Sequence, residues 1–330
     1  GVIAVALLAA ALAVRDSYRS TVHEYEQDQS VLAALMAAQV VRDVAPIDGA
    51  FRAVRAGLSI GGWSPTGGAT PEVIALLREE KARLPEVIAI SLVDADGHVL
   101  ASVGQTGNLE PQPDIPADSD LLQRGRAAPG EVFVAGPPEP AARGAMTLSF
   151  GRTIRDLTGA FQGMVVARLP ASVFGSLFAA AHGKSGAMVT LVRQDGLVLE
   201  QVPDGLVMQG RRPPEGTQWY ELAQTGGIFH SRGMIYGRTR VIAVHPLPAY
   251  DLVVDASQFD ATGLGAWRQQ AAFTLGGAVI MVAAVVLLFL MLRVQFRRRA
   301  ESEAALAQRN RALEASSAQT AAQAETLQAV

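Results

Sequence analysis

The sequence predicts an α+β protein in which two tandem antiparallel-sheet modules lie between two membrane-spanning helices. Three observations favour this fold class. Residues 271–292 form an uncharged run of 22 residues, which is long enough to cross a hydrocarbon core of roughly 30 Å. A shorter apolar run opens the chain at residues 1–14. Between the two runs, a hairpin pattern at residues 90–104 recurs at residues 189–203, which indicates a duplicated unit.

The opening run, residues 1–14, has two interpretations. The small residues Ala11 and Ala13 suit the cleavage site of a secretory signal peptide. The run also suits the outer part of an uncleaved first transmembrane helix, which is the interpretation we favour. Because no initiator methionine precedes the run, we expect the sequence to begin inside a longer hydrophobic segment. Both interpretations export residues 15–270.

The second run, residues 271–292, is predicted to be a membrane helix rather than a buried helix of a soluble protein, because buried helices are shorter and seldom apolar on every face. Trp267 precedes it, where aromatic rings favour the membrane interface. Arg293 and three arginines at residues 297–299 follow it, as positively charged segments do on the cytoplasmic side. We therefore expect a bacterial inner-membrane protein in contact with lipid, with a periplasmic middle and residues 293–330 in the cytoplasm.

The composition excludes several classes of function. The chain has no cysteine, so it has no Cys-ligated zinc, no iron–sulfur cluster and no cysteine nucleophile. The formal net charge of −3 is spread along the chain, which argues against a nucleic-acid partner. The five histidines lack the HExxH spacing of a metal site, and the residues assemble no catalytic constellation. We expect no cofactor, no metal and no enzyme active site in these residues.

A long helix is predicted over residues 15–57, continuing out of the first membrane run. Its apolar residues recur at three- and four-residue steps, and proline and glycine are absent until Pro46, where we expect a kink. Turn-forming residues follow. A second helix is then predicted over residues 71–84, with Thr70 as its N-cap.

Each copy of the repeat predicts a β-hairpin. Seven of its 15 positions are identical at an offset of 99 residues, and each copy has an Asp-Gly turn, at Gly97 and at Gly196, where glycine supplies the positive φ. Polar, Pro/Gly-rich excursions should form surface loops that carry binding residues; they span residues 108–140 and 203–216. Later strands are predicted at residues 146–154, 161–169, 233–244 and 250–257.

Four segments carry a family resemblance: LPEVIAISLVDADGHVLAS, LSFGRTIRDLTGAFQGMVVARLPASVF, VTLVRQDGLVLEQVP and VHPLPAYDLVVDASQFDATGLGAWRQQA. In this order and spacing they resemble tandem (double) Cache sensor domains, of the kind found in front of histidine kinases and diguanylate cyclases. The resemblance covers residues 15–271. It implies a long helix packed along two PAS-like modules, a membrane-distal one at residues 58–170 and a membrane-proximal one at residues 171–265, with the distal module usually binding the ligand.

The predicted binding residues lie in the distal module, where a guanidinium fork would suit a small ligand such as a carboxylate. Arg152 shares a strand face with Leu148 and Phe150, so we expect it to project into a pocket beside the sheet. The alternative is a structural arginine whose stem covers apolar surface, because Arg238 occupies the equivalent place in the second module. The full predicted site is Arg152, Ser149, Phe133, Arg124 and Arg126.

Two further patterns concern the proximal module and the ligand. Trp219 and Tyr220 form either the aromatic wall of a pocket or a core packing pair, and we favour the packing pair. The amino-acid-binding motif of the family is not recognisable in the distal module, which argues against an amino-acid ligand.

The cytoplasmic tail, residues 293–330, is predicted to be a signalling helix that pairs weakly in a parallel homodimer. Leu306, Leu313, Thr320 and Leu327 mark one heptad seam, whereas the other seam is polar or small. A solvated single helix is the alternative. The ending ETLQAV resembles the helix that leads into a PAS domain of a histidine kinase, so we expect a sensor histidine kinase ahead of a diguanylate cyclase or a chemoreceptor. A membrane-anchored scaffold without output is the alternative from another class.

Overall fold

The computed structural model describes residues 2–60, 68–128, 131–136, 147–203, 208–231, 239–259 and 264–328. The chain divides into two compact units. One contains Gly1–Ser20 together with Gly265–Val330, and the other contains Thr21–Leu264. The predicted turn around residues 61–67, the repeat residues Gly237 and Arg238, and the start of the strand predicted at 233–244 lie outside the described residues.

The first unit consists of helical segments. Helix α1 spans Val2–Ile60 and passes through Pro46, and the last helix, α6, spans Gly265–Gln328. Both are long and apolar enough, by length and composition, to cross a membrane, with mean hydropathies of 1.4 and 2.9 in their most apolar windows. Within this unit, the rings of Tyr18 and Trp267 meet edge to face with centroids 5.0 Å apart.

The second unit contains two five-stranded antiparallel sheets. The first sheet has the strand order β2-β1-β5-β4-β3. Its strands are β1 Ala89–Asp94, β2 Val99–Val103, β3 Val132–Ala135, β4 Thr147–Arg155 and β5 Phe161–Pro170. Two helices accompany it, α2 Pro71–Ala82 and α3 Asp120–Ala127. Thr70 caps α2 as predicted, because its hydroxyl accepts a hydrogen bond from the backbone N–H of Val73.

The second sheet repeats this topology, with the order β7-β6-β10-β9-β8. Its strands are β6 Met188–Arg193, β7 Val198–Val202, β8 Gly227–Ser231, β9 Arg240–Leu247 and β10 Leu252–Phe259. Helix α4, Ser172–Ser185, precedes it, α5, Trp219–Thr225, lies between β7 and β8, and a short 3-10 helix spans Pro248–Tyr250.

The two predicted hairpins agree in detail, which confirms the duplication as a property of the fold. Both Asp-Gly turns have glycine at positive φ, 97° at Gly97 and 92° at Gly196. A register irregularity falls between Leu92 and Val93 in one hairpin, and between Leu191 and Val192 in the other. These positions differ by the same 99 residues as the sequence repeat. The α+β prediction is therefore correct, and the two hairpins also have the same register.

One apolar core joins the helices to both sheets. The buried face of α1, which includes Val44 and Phe51, packs in the same cluster as Phe150 of the first sheet and Leu191 of the second. Removal of this apolar surface from water is the main driving force that holds the helix against the sheets. The opposite face of each sheet has a separate, smaller cluster. Each sheet therefore has one face in the shared core and an opposite face with its own smaller cluster, on which a site can form.

The excursion predicted at residues 108–140 contains more regular structure than we expected. Helix α3 begins after Ser119, whose hydroxyl accepts a hydrogen bond from the backbone N–H of Leu122, and the four-residue strand β3 follows. Both elements are too short for hydrophobic periodicity to identify them in a polar segment. Their position matters because α3 packs on one face of the first sheet and β3 forms an edge of that sheet.

Candidate functional site

Arg152 lies on the face of the first sheet that packs against α1. Its neighbours Leu148 and Phe150 share that face, as predicted, and both belong to the core that α1 covers. The guanidinium forms an ion pair with Asp48 of α1, and Asp48 also pairs with Arg52 one helical turn later. Arg152 therefore joins a strand to the long helix, which fits the alternative interpretation of a structural arginine.

Phe133 and Ser149 lie on the opposite face of the sheet, where Phe133 is next to Gly125 of α3. Phe133 pairs with Gly151 across the β3–β4 ladder, and a β-carbon at Gly151 would stand 2.4 Å from the end of its ring. Phe133 is in a buried apolar cluster with Leu122 and Met164. This part of the first module is thus filled by side chains.

Arg124 and Arg126 extend from α3 in different directions. Arg124 donates to Asp251 at 2.5 Å and to Asp195 at 3.2 Å, both in the second module. Arg126 donates to the backbone carbonyl of Ala95 at 2.9 Å. The structure therefore brings Phe133 and Ser149 to one face, and it directs Arg152 to the other. Ligand binding by the five predicted residues stays a prediction.

The ion pairs of Arg124 belong to a cluster that joins the two modules. At its centre Arg193 is almost fully buried and donates to Asp120 at 2.5 Å and to Asp195 at 2.7 Å. Arg193 also donates to the carbonyl of Val134 at 3.3 Å. These hydrogen bonds from arginine hold the pKa of the Asp195 carboxyl well below its usual range, against the opposing effect of burial.

The second module contains a cavity of about 70 Å³ on the sheet face that α4 leaves free. The register of the strands creates it, because Asp255 stands opposite Thr190 on β6, and Thr190 stands opposite Gln201 on β7. A polar row therefore crosses the floor of the cavity. Apolar side chains surround it: Val192, Val198, Met208, Trp219, Phe229 and Ile242.

Asp255 is the most unusual residue of the cavity. Only 9% of its surface is exposed, and its Oδ2 accepts a hydrogen bond from Nε1 of Trp219 at 2.7 Å. Its other carboxylate oxygen, Oδ1, has no hydrogen-bond partner among the residues that the structure describes. Burial raises the pKa of Asp255 to about 7, and the hydrogen bond from Trp219 and the charge of Arg240 act in the opposite direction. The carboxyl is thus poised to change charge near neutral pH.

Trp219 has both roles that the sequence allowed. Its indole is buried in the core cluster of the second module and also lines the cavity. Tyr220 packs edge-on against it, with ring centroids 5.2 Å apart, and donates its hydroxyl to the carbonyl of Pro213 at 2.9 Å. The pair is therefore a packing pair of which one ring faces the cavity.

Sequence reasoning missed Asp255. The available signal was a single acidic residue inside the apolar strand LVVDAS, in a position where strand alternation predicts burial. A buried carboxylate without a full set of partners is costly, and such groups concentrate at functional sites.

No protein-family model matches the chain. No curated protein matches it either. Solved structures do match it, and three of them have identities that show the fold alone. The extracellular domain of rpHK1S-Z16, which is assigned as a histidine kinase, is 19% identical with a TM-score of 0.57, covering 74% of this chain and 98% of that one.

Two chemoreceptor domains are similar in the same way. The periplasmic sensory domain of Campylobacter jejuni Tlp1 is 12% identical with a TM-score of 0.59, covering 74% of this chain and 98% of that one. The ligand-binding domain of Pseudomonas fluorescens CtaA, in complex with L-isoleucine, is 16% identical with a TM-score of 0.51, covering 75% of this chain and 97% of that one. These three chains are an extracellular domain, a periplasmic sensory domain and a ligand-binding domain, respectively.

Proposed function

We propose that this chain, which has the double Cache fold of extracellular sensory domains, is the sensing part of a bacterial transmembrane receptor for a small molecule. The observation that carries the proposal is the pair of five-stranded sheets, which share one strand order and match sensory domains over nearly their whole length. Two helices that are apolar enough to span a membrane accompany them.

The proposed topology places residues 15–270 in the periplasm and residues 293–330 in the cytoplasm, with two spans in the inner membrane. The arginines after residue 292 support this direction, because positively charged segments remain on the cytoplasmic side. Large apolar side chains of α6 such as Ile280 and Phe289 are exposed, as a helix that faces lipid requires.

The cavity of the second module is the binding site that the geometry supports best. It combines apolar walls with a few polar groups, which is the usual composition of small-molecule sites. The similar domain of CtaA contains L-isoleucine, which supports a ligand of metabolite size. The first-module residues do not meet in one place, but Arg152 and Arg124 remain two separate candidates, because each has a charge that a carboxylate ligand could compete for.

We further propose that the chain signals as a parallel homodimer and that its output is a sensor histidine kinase, ahead of a diguanylate cyclase or a chemoreceptor. The last helix supports this, since its seam through Leu306 suits a weak coiled coil that can switch between two states. Ligand binding would shift that equilibrium through the membrane helices. A disulfide between the two copies of Leu306→Cys is the expected sign of the dimer.

The sensing function is tested by thermal unfolding of the whole chain in lipid nanodiscs with a panel of amines, amino acids, carboxylates and sugars. A ligand at 100 times its Kd stabilises by about 2.7 kcal/mol, which is a rise in Tm of roughly 5 °C or more for a unit of this size. Arg152→Ala and Asp255→Asn then report which module holds the ligand. If no compound raises Tm, the sensing proposal fails.

A further inference from the structure

We propose that the cavity of the second module binds a small organic cation whose ammonium group pairs with Asp255. This inference rests on the proposed sensing function and names the chemical class of the ligand. It is independent of the first-module residues, because the cavity is built by β6, β7, β8, β9, β10 and the segment around Trp219.

The hydrogen bonding of the Asp255 carboxylate favours a cationic ligand. Nε1 of Trp219 donates a hydrogen bond to Oδ2 of Asp255 at 2.7 Å. The other oxygen, Oδ1, has no hydrogen-bond partner in the part of the chain that the structure describes. A buried acceptor of this kind loses its hydration without recovering a hydrogen bond. An ammonium group offers three donors and a positive charge, so it would satisfy the oxygen and compensate the buried charge at once.

The side chains around Asp255 also suit an ammonium ion with an apolar body. The hydroxyl of Thr217 lines the same cavity and is also without a hydrogen-bond partner within the described ranges, so it offers a further acceptor. The indole face of Trp219 is the aromatic surface that attracts cations most strongly. Val192, Phe229 and Ile242 line the remaining wall, which suits an apolar body behind the charged group.

The volume of the cavity limits the ligand to a few heavy atoms. A buried cavity of about 150 Å³ accepts a benzene molecule, so 70 Å³ corresponds to about three heavy atoms. A short alkylammonium fits this volume. An α-amino acid carries the same ammonium group but has at least five heavy atoms, so its carboxylate would have to extend beyond this volume, toward Arg240, which also lines the cavity. The shared chemistry of both ligands is therefore the ammonium group.

The pH dependence follows from the same carboxyl. Its pKa, which burial raises to about 7, means that the empty site is roughly half protonated at neutral pH. Cation binding requires the ionised form, so the affinity rises as the pH increases through 7. The charged group that faces Asp255 is Arg240 on β9. The neighbouring side chains of Trp219 on α5 and Thr190 on β6 do not titrate in this pH range. An affinity about tenfold higher at pH 8 than at pH 6 is expected.

The experiment measures binding of methyl-, ethyl- and propylammonium, glycine and L-alanine to the whole chain in lipid nanodiscs by calorimetry. 1-Propanol and propionate are the uncharged and anionic controls. At least one cation should bind, at least tenfold more tightly than 1-propanol, and more tightly at pH 8 than at pH 6. Binding by the alkylammonium ions alone identifies an amine, and tighter binding by L-alanine identifies an amino acid.

Two variants localise the site. Asp255→Asn preserves an oxygen acceptor for Trp219 and removes the charge, so it should weaken binding of the cation at least tenfold. Glu200→Gln is the matched control, because Glu200 is another buried acid of the same sheet that accepts from Gln209 at 3.0 Å and does not line the cavity. It should leave binding unchanged. Circular dichroism and Tm confirm that each variant is folded.

Four results would overturn the inference: no binding by any of these cations, equal binding by 1-propanol, binding no tighter at pH 8 than at pH 6, or unchanged binding in Asp255→Asn. The alcohol comparison and the pH comparison use the wild-type chain, so they decide the matter even if a variant does not fold. If a sugar or a carboxylate stabilises the chain while the cations do not, the ligand class is wrong and the sensing function stands.

Discussion

Replacement of Asp255 by asparagine should remove a pH-dependent loss of stability from the second module. Asparagine has almost the same shape and can still accept the hydrogen bond from Trp219, but it does not titrate. Any difference in pH dependence between the two proteins therefore reports the charge of this one buried group, which is 9% exposed.

The magnitude follows from the pKa. An ordinary aspartate has a pKa of about 3.9, whereas burial raises the pKa of Asp255 to about 7. Because the folded state holds the proton more tightly than the unfolded state, stability is highest below about pH 4 and falls until the pH passes 7. The full loss is about 4 kcal/mol at 1.36 kcal/mol per pKa unit, and about 3 kcal/mol of it falls between pH 5 and pH 8.

The assay is urea unfolding of the ligand-free chain in nanodiscs at pH 5 and pH 8, followed by tryptophan fluorescence. The free energy of unfolding of the wild type should decrease between these pH values by about 3 kcal/mol more than that of Asp255→Asn. The variant should be the more stable protein at pH 8. If the two proteins change in parallel with pH, the carboxyl is not buried as a titrating group and the reasoning fails.

Two further substitutions test the packing of the modules. Arg193→Met removes the buried partner of Asp120 and Asp195 and should lower the free energy of unfolding by about 3 kcal/mol. The control Arg212→Met removes a half-exposed partner of Asp195 and should lower it by less than about 1 kcal/mol. Equal effects would contradict the central role of Arg193. Gly151→Ala forces a β-carbon against the ring of Phe133 and should lower Tm through a loss of about 1–3 kcal/mol; an unchanged Tm would refute the close packing.

The fold could be predicted largely because a hairpin pattern that recurs at a fixed offset is stronger evidence than a single copy. Each hairpin alone is a common pattern, but the offset of 99 residues between Gly97 and Gly196 predicted a duplicated unit with a hairpin in each copy. The helix α3 and strand β3 were missed since they are short and lie in a polar segment. Their ends depend on contacts such as the cap at Ser119 rather than on hydrophobic periodicity.

The candidate site was harder to predict because it depends on which face of a sheet another element covers. Strand alternation correctly placed Arg152 with Leu148 and Phe150, but it does not reveal that α1 covers that face and brings Asp48 to the guanidinium. For Asp255, the sequence predicts the burial of the residue but not the site around it. Its burial could be predicted from the strand, whereas the unpaired Oδ1 and the cavity arise only when β6, β9 and β10 stand side by side.

The most direct test of a sensor held outside the cytoplasm is cysteine labelling of the chain in living cells. The natural chain has no cysteine, so Ala117→Cys, Gln224→Cys and Ser302→Cys each introduce one thiol at an exposed residue. A membrane-impermeant maleimide should label the cysteines at 117 and 224 in intact cells and the cysteine at 302 only after the inner membrane is opened. Labelling of 302 in intact cells, with 117 and 224 protected, would contradict the account.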